Sequence, residues 1–266
     1  MSNIKYLIAR QIIDSRGIPT LECDVITSHA LYRASVPAGA EVGQFEAAEL
    51  RDEGDEYDGK SVHRAIEQIN TVIAPALIGK SVLDQKAIDD LLKELDGTEN
   101  KSKLGSNTLL AVSIAVCRAG AGERGIPLYR YCAELAQVNL PRIPIPCFNI
   151  INGGKHSGNK LPFQEIMIAP TIAENFAEAV AMGCEVYVTA KGIIKELYGI
   201  EATNVGNEAG FVPPVGSVKE ALDIVTDAIQ SSGYKDRFAI IIDVAANHFV
   251  QGEGGLQFVI QLLILI

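Results

Sequence analysis

Pro141-Arg-Ile-Pro144-Ile-Pro146 divides the chain into two regions with different hydrophobic patterns. Three prolines within six residues remove backbone donors and disfavour helix in the residues before them. We therefore predict a domain boundary here, with one domain over residues 1–138 and a second over residues 139–266. A length of 266 residues is sufficient for two domains of moderate size, each with its own core.

The region before the prolines changes from a strand pattern to a helix pattern. Leu21, Cys23 and Val25 alternate with acidic residues, which is typical of a half-buried strand. With apolar segments on either side (residues 4–13 and 30–36), this alternation predicts a three-stranded antiparallel meander. From Ser61 the apolar residues recur every three or four positions, which predicts four helices. We expect these helices at residues 61–75, 84–96, 107–121 and 128–136, with Ser61 and Asp84 as N-caps.

The region after the prolines mixes strands with helices, which is typical of an α/β domain. Ser217-Val-Lys-Glu220 has the form of a capping box that begins a helix. The apolar run Phe238–Asp243 predicts a buried parallel strand. The fold class is therefore α/β, a small N-terminal α+β domain followed by an α/β domain for which a barrel is one candidate architecture. Further strands are expected at residues 147–151 and 165–169, and helices at residues 174–197 and 217–229.

Composition excludes several classes of partner. The chain carries 23 basic and 33 acidic side chains, a formal net charge of −10, which argues against nucleic acid as a partner. Its apolar runs are shorter than a membrane helix needs, so no membrane association is expected. Five dispersed cysteines predict reduced thiols and a cytoplasmic location, and make a zinc site improbable. Any metal would be a hard cation on carboxylates.

Asn152-Gly-Gly-Lys-His156-Ser-Gly-Asn-Lys160 is a candidate ligand-binding loop. Its glycines allow the backbone to approach a ligand, while two lysines and a histidine offer positive charge or hydrogen-bond donors. A mobile loop that binds an anion is one interpretation. A glycine-rich surface loop without a ligand is the other, and composition alone does not decide between them.

Three acidic residues at strand ends or in loops form the second candidate. Glu165 lies at a strand start, Glu208 in a loop and Asp243 at the end of an apolar run. Carboxylates that converge at one edge of a sheet could bind Mg²⁺ and transfer protons. Each alone is more typical of a solvated surface charge or a helix cap, so the prediction depends on the three acting together.

These motifs lie within a longer series of strings that resembles the enolase family. Asp14-Ser-Arg-Gly-Ile-Pro-Thr20 resembles DSRGNPT, and Phe148-Asn-Ile-Ile-Asn-Gly-Gly-Lys-His156 resembles FNVINGGSH. Asn204-Val-Gly-Asn-Glu208-Ala-Gly-Phe211 resembles NVGDEGGF, and Asp243-Val-Ala-Ala246 resembles the start of DVAASEF. The matches are collinear from residue 1 to about residue 249. The resemblance implies an enolase-type domain pair, a small N-terminal α+β domain followed by an incomplete α/β barrel.

The resemblance implies glycolytic chemistry, the dehydration of 2-phosphoglycerate to phosphoenolpyruvate by a lyase that uses Mg²⁺. Glu208 matches the general acid, and Glu165 lies beside it as a catalytic and substrate-binding residue. His156 matches a loop histidine that closes over the substrate. Asp243 matches the first of three Mg²⁺ carboxylates, and Glu41 stands where the family has a serine that binds a second Mg²⁺.

Two departures bear on activity. Ala209 replaces a glycine of the family motif, and the tail over residues 250–266 resembles nothing in the family. The base lysine and the other two metal carboxylates of the family lie in a part of the enolase sequence to which no residue of this chain is matched. An enzyme and an inactive enolase-like fragment, paired with itself or with full-length enolase, therefore both remain open. A truncation that folds poorly and has no function is the third interpretation.

The resemblance also bears on assembly. Arg16 matches an arginine that pairs across the enolase dimer with a carboxylate late in the partner chain. We therefore predict that Arg16 lacks a partner in a homodimer of this chain, which should be weak. The segment over residues 256–266 carries nine apolar residues in eleven and is a predicted aggregation hazard.

Overall fold

The computed structural model describes residues 2–39, 43 and 45–246, apart from the side chain of His156. The chain divides into two compact units between Pro141 and Arg142, within the proline-rich stretch. Each unit has its own hydrophobic core. The predicted metal ligand Glu41 and the predicted aggregation hazard at residues 256–266 lie outside the described residues.

The first unit begins with a three-stranded antiparallel sheet in the order β1-β2-β3, which confirms the predicted meander. Leu21, Cys23 and Val25 of the central strand are fully buried, because alternate side chains point to the same face of a sheet. The tight turns between consecutive strands set the antiparallel register. The strands are β1 (Tyr6–Ile13), β2 (Pro19–Ile26) and β3 (Leu31–Ser35).

The opposite face of this sheet carries a charge cluster centred on Asp24. Arg33 Nε donates to Asp24 Oδ1 at 2.7 Å, and Arg10 forms a second ion pair with the same carboxylate. The side chain of Asp24 is only 3% exposed. The hydrogen bond from Arg33, followed by that from Arg10, outweighs the effect of burial and lowers the pKa of Asp24 to about 2. The cluster therefore joins all three strands through one buried carboxylate.

Arg16 has a partner within its own chain. Its Nη2 lies 3.0 Å from Asp14 Oδ2 and donates to the carbonyl oxygen of Ala38 at 2.9 Å. Asp14 also accepts the backbone N–H of Ile18 at 2.9 Å, which closes the turn between β1 and β2. A carboxylate two residues away therefore pairs with the guanidinium within the chain, while the loss of a partner for Arg16 across a homodimer stays a prediction.

Helices complete the first unit close to where the hydrophobic pattern predicts them. Asp84 accepts the backbone N–H of Ala87 at 3.1 Å, and Gly97 ends the same helix in the left-handed conformation, as expected of a C-cap. The last helices agree with their predicted positions within two residues. The helices are α1 (His63–Gln68), continued by a π-helical turn (Ile69–Ile73) and α2 (Ala74–Leu77), then α3 (Gln85–Asp96), α4 (Ser106–Glu123) and α5 (Leu128–Leu135).

The predicted N-cap Ser61 does not cap α1. Asp52 instead accepts the backbone N–H groups of His63 and Arg64, both at 2.8 Å, and so satisfies two donors at the helix start. Within the described residues, the hydroxyl oxygen of Ser61 is buried without a hydrogen-bond partner. The Asp52 carboxylate caps the helix in place of the serine hydroxyl, since its two oxygens accept two hydrogen bonds at once.

The core of the first unit is built from residues 4 to 119. One face of the β1-β2-β3 sheet packs on α4, whose buried face includes Ala111, Val112, Ala115 and Val116. Small residues dominate that face, so the helix approaches the sheet closely. Every side chain of this core therefore comes from the first unit alone.

The second unit contains a three-stranded sheet covered on one face by two helices. Its strands are arranged in the order β4-β5-β6, with the predicted strand positions confirmed. Ser217 accepts the backbone N–H of Glu220 at 3.2 Å, as the capping box predicts, whereas Glu220 reaches back to the N–H of Gly216. The elements are β4 (Phe148–Asn152), β5 (Glu165–Pro170), α6 (Phe176–Tyr198), α7 (Val218–Ser231) and β6 (Phe238–Asp243).

The orientation and burial predicted for β6 are wrong. It pairs antiparallel with β5, and Ile240 and Ile242 are more than one-third exposed. One crossover helix would return the chain to the same end of the sheet and make the strands parallel. Here α6 and α7 both lie between β5 and β6, so the chain reverses once more. Within the described residues, the sheet remains open and β6 forms its edge.

None of the helices in the described part of the chain combines the length and apolar character needed to cross a bilayer.

Candidate active site

Three strand ends form a row at one end of the second sheet. Asn152 at the end of β4 is in register with Glu165 at the start of β5, which is in register with Asp243 at the end of β6. Residues directly opposite on paired strands share a face, with Cβ atoms roughly 5 Å apart. The structure therefore brings the side chains of Glu165 and Asp243 together. They lie on the face opposite to that of Ile166, whose side chain packs in the core with α6.

The two carboxylates have different surroundings. Glu165 is half-buried on the central strand, whereas Asp243 is exposed on the edge strand. Asp243 Oδ1 accepts the backbone N–H of Ala245 at 2.8 Å, and its carbonyl oxygen accepts the N–H of Gln164 at 3.1 Å. These bonds fix the point where β6 ends, so the position of the Asp243 carboxylate follows from the strand pairing.

The loop that carries Glu208 lies on the other side of β4. The backbone of Phe211 exchanges hydrogen bonds with this strand, donating to Ile150 O at 2.8 Å and accepting from Asn152 N at 2.9 Å. Phe211 therefore lies two strand spacings from Glu165, a distance on the order of 10 Å. The Glu208 backbone is close to Phe211 along the chain. Glu208 itself is exposed, and its carbonyl oxygen accepts a bond of 3.5 Å from the side chain of Asn149.

Asn152 joins the loops to the strand, a role that sequence reasoning did not assign to it although it begins the candidate ligand-binding loop. Its fully buried side chain accepts the backbone N–H of Gly210 at 2.9 Å and donates to the carbonyl oxygen of Gln164 at 3.3 Å. A Cβ atom on Gly210 would lie 2.6 Å from Asn152 Oδ1, so only glycine fits there. The one available signal was a polar residue directly after the apolar strand residues Ile150 and Ile151.

Backbone strain occurs one residue before this contact. Ala209 has φ +61°, in the left-handed region that favours glycine. Its N–H donates to Gly206 O at 3.1 Å, and Gly206 N–H donates to Gly210 O at 2.8 Å, so the loop is a closed turn. The replacement of a family glycine by Ala209 therefore costs conformational energy next to Glu208.

The base of the loop with Lys155 and Lys160 is well anchored. The amide of Asn159 donates to Asn152 O and to Pro213 O, both at 3.0 Å, and Gly154 N–H donates to Leu161 O at 2.8 Å. Lys155 and Lys160 are both exposed. The backbone forms a short 3₁₀ turn at Gly154–His156, and the predicted role of the His156 side chain lies outside the described residues.

Mg²⁺ prefers several fixed oxygen ligands. Glu165 and Asp243 are suitable hard ligands, but the described part of the chain brings no group of three candidate ligands together. The two carboxylates fit the chemistry of the ion, and Asp243 is the one that matches a metal ligand of the family. The side-chain oxygen of the buried Gln164, next to Glu165, also has no hydrogen-bond partner among the described residues.

Comparison with known proteins identifies two family models along the chain. The model "Enolase, N-terminal domain" matches residues 4–132, and "Enolase, C-terminal TIM barrel domain" matches residues 141–261. The second match extends past residue 249, where the resemblance between individual strings ends. Together they cover most of the chain, and each falls largely within one of the two compact units.

Curated relatives agree with the family models. The chain is 51% identical over 251 residues to "Enolase" of Mastigamoeba balamuthi, which spans 94% of this chain and 57% of the relative. It is 49% identical over 253 residues to "Enolase 1" of Entamoeba histolytica, with 94% and 58% covered, and 55% identical over 249 residues to "Enolase B" of Dictyostelium discoideum, with 93% and 56% covered. The chain thus spans little more than half the length of these relatives.

Proposed function

The chain belongs to the enolase family, and on that premise we propose that its second unit carries the acid side of a site for dehydrating 2-phosphoglycerate to phosphoenolpyruvate. The observation that carries the proposal is the row Asn152–Glu165–Asp243, with the Glu208 loop bonded to its first member. The domain bounds 1–138 and 139–266 and a cytoplasmic location form part of the same proposal.

Each acidic residue has a defined task in this proposal. Dehydration removes a proton from the carbon next to the carboxylate and a hydroxyl from the neighbouring carbon. Glu208 donates the proton with which that hydroxyl leaves as water, since a hydroxide is a poor leaving group. Glu165 orients the hydroxyl from the central strand, and His156 closes over the substrate. Asp243 supplies a metal ligand, and Glu41 supplies one for a second ion.

Mg²⁺ would stabilise the charge that develops on the substrate carboxylate. We propose that this chain alone binds the ion weakly, because Glu165 and Asp243 are its only paired carboxylates at the described sheet end. A titration of the chain with Mg²⁺ by calorimetry should give no saturation below millimolar concentration, and Asp243→Asn should abolish what binding remains.

An inactive enolase-like fragment is the second candidate, and the shortage of metal carboxylates favours it for the isolated chain. The base lysine and two metal carboxylates match positions of the family beyond the part that this chain resembles. Loss of general base catalysis typically costs 10²–10⁴-fold in rate. This candidate predicts a dimer, formed either with a second copy of the chain or with full-length enolase.

Two assays separate the candidates. The purified chain, mixed with Mg²⁺ and 2-phosphoglycerate, should show no phosphoenolpyruvate absorbance, and turnover that disappears in Glu208→Gln would overturn inactivity. The assignment of the acid side is tested in a chimera, in which residues 142–246 replace the matching segment of the Dictyostelium discoideum enolase. The chimera should be active, and Glu208→Gln should lower its kcat by about 10²-fold or more. A small effect would contradict the assignment.

A further inference from the structure

The outer edge of β6 has no partner strand among the described residues. β6 pairs with β5 on one side only, as the last strand in the order β4-β5-β6. Its Ile240 and Ile242 are more than one-third exposed. They are in register with Ile168 and Ile166 of β5, which are fully buried, so the apolar face of the sheet continues to this edge. An unpaired edge strand of this kind is a template for a further strand.

The backbone groups that face the outer edge follow from the pairing of β6 with β5. The N–H of Thr171 donates to the carbonyl oxygen of Arg237 at 3.1 Å, so the polar groups of Arg237 face β5. Residues of an antiparallel strand alternate between hydrogen-bonded and non-hydrogen-bonded positions. The N–H and C=O groups of Phe238, Ile240 and Ile242 therefore point away from β5, towards the outer edge.

The side chains along this edge are complementary to a second copy of themselves. Arg237 and Asp243 stand at opposite ends of the stretch, with five apolar residues between them. If two copies align antiparallel and centred on Ile240, Arg237 of each protomer lies opposite Asp243 of the other. Phe238 lies opposite Ile242 in the same alignment. Opposite charges and pairs of an aromatic with a β-branched residue are both favourable across strands.

The same alignment also satisfies the backbone. Ile240 lies opposite Ile240 of the other protomer, and Phe238 lies opposite Ile242, so every opposed pair carries groups that face the edge. Each of these pairs can exchange both of its hydrogen bonds. A shift by one residue would place inward-facing groups opposite outward-facing ones, and a shift by two would separate Arg237 from Asp243. Backbone and charge therefore select one alignment.

We propose that the outer edge of β6 is an interface with a second copy of this chain, in which two β6 strands pair antiparallel, centred on Ile240, and join two sheets into one. Each protomer offers the same residues, so the interface has two-fold symmetry. Arg237 pairs with Glu178 at 2.9 Å, and the several N–H donors of a guanidinium allow it to bind a second carboxylate. This surface lies in the second unit, whereas Arg16 lies in the first.

Analytical ultracentrifugation of the full 266-residue chain measures the association. We expect a reversible dimer at micromolar concentration. Arg237→Asp and Asp243→Arg should each raise the dissociation constant by about tenfold or more, since each places like charges opposite one another at both ends of the interface. An equimolar mixture of the two variants should dimerise again, because one protomer then has two acidic ends and the other two basic ends.

Ile240→Lys is a second variant that leaves both charged ends in place. It sets two lysines opposite each other at the centre of the interface and should also raise the dissociation constant by about tenfold or more. Val188→Lys, at an exposed apolar position on α6, is the matched control and should dimerise like the parent chain.

Hydrogen exchange distinguishes a second copy from other occupants of the edge. The amides of Phe238, Ile240 and Ile242 should be protected only at concentrations at which the chain is dimeric. A monomer in which these amides are protected would show that the edge is covered within one chain, and a monomer in which they exchange freely would show that it stays open. Either result overturns the proposal.

Two further results would contradict the proposed interface. One is a dimer that withstands Ile240→Lys, and the other is a mixture of Arg237→Asp with Asp243→Arg that stays monomeric. These measurements use neither substrate nor metal, so their outcome is independent of the proposed function.

Discussion

Asn152 Oδ1 accepts the backbone N–H of Gly210 at 2.9 Å, and this buried side-chain bond is one of those that connect the loop of Glu208 to the strand that ends at the candidate site. The two residues are 58 positions apart in the chain. The bond is buried, so its energetic value is the cost of leaving the N–H without an acceptor. The position of the proposed acid therefore depends on a neutral amide.

Asn152→Ala should lower the free energy of unfolding of the second unit by about 1–3 kcal/mol, because it leaves the buried N–H of Gly210 without an acceptor. Hydrogen exchange at residues 206–211 should become faster. Urea unfolding and exchange mass spectrometry give the two measurements. Asn207→Ala, at an exposed position in the same loop, is the matched control and should change stability by less than about 0.5 kcal/mol. Equal effects of the two substitutions would remove the anchoring role of Asn152.

Ala209→Gly should increase the free energy of unfolding by about 0.5–1 kcal/mol, since glycine adopts φ +61° without the steric cost paid by alanine. Thermal and urea unfolding measure the change. The same substitution at Ala177, an exposed position in the first turn of α6, should have the opposite sign and cost up to about 1 kcal/mol. Destabilisation at both positions would mean that the loop does not hold Ala209 in the left-handed region.

Two glycines of α6 should respond differently to alanine. A Cβ atom on Gly183 would lie 2.3 Å from the ring of Phe148, so Gly183→Ala should cost about 1–3 kcal/mol through overpacking between α6 and β4. Gly192 has open space around it, and Gly192→Ala should stabilise the helix by about 1 kcal/mol. Urea unfolding of both variants measures the difference. The prediction fails if Gly183→Ala is as stable as the parent chain.

The carboxylate of Glu123 at the end of α4 should make the first unit sensitive to acid. Its side chain is 1% exposed and accepts from Thr27 at 2.6 Å and Tyr32 at 3.1 Å, with His29 Nδ1 at 2.7 Å. Burial raises the pKa of Glu123, but these hydrogen bonds outweigh burial and lower the pKa to about 2. The ionised form therefore stabilises the fold above its unfolded pKa of 4.5, and this contribution is lost as pH falls through the folded value.

Urea unfolding should show a loss of about 2–3 kcal/mol between about pH 5 and pH 2 from this residue. Glu123→Gln should lack this contribution to the free energy of unfolding at neutral pH. Its free energy of unfolding should therefore fall by about 2–3 kcal/mol less than that of the parent chain between about pH 5 and pH 2. Glu94→Gln, an exposed position on α3, is the control and should keep the parent profile. A parent profile in Glu123→Gln would show that the carboxylate is not the titrating group.

Local signals allowed much of the fold to be predicted from the sequence. Asp84 and Ser217 cap the expected helices because a cap depends on residues only three positions away. Ser61 failed for the opposite reason, since Asp52 reaches the same helix start from the preceding loop. The orientation of β6 also required more than local pattern. Counting the two helices before Phe238 would have indicated an antiparallel strand.

The candidate site, like the fold, could be predicted from the sequence only in part. Glu165 and Asp243 were predicted together because strand ends meet at a common edge, and the register makes them neighbours on paired strands. The convergence of Glu208 with them stays a prediction. The anchoring role of Asn152 could not be identified from sequence, because its partner Gly210 is distant along the chain and bonds through its backbone.

The location of the first core within residues 4–119 has a consequence for synthesis on the ribosome. All partners of that core have been translated before the proline-rich stretch, while the 125 residues after Pro141 are still to come. At roughly 5–20 residues per second, their translation takes on the order of 6–25 seconds. Small domains fold within microseconds to seconds. The first unit therefore has time to reach its native state during translation, before the open edge of β6 exists.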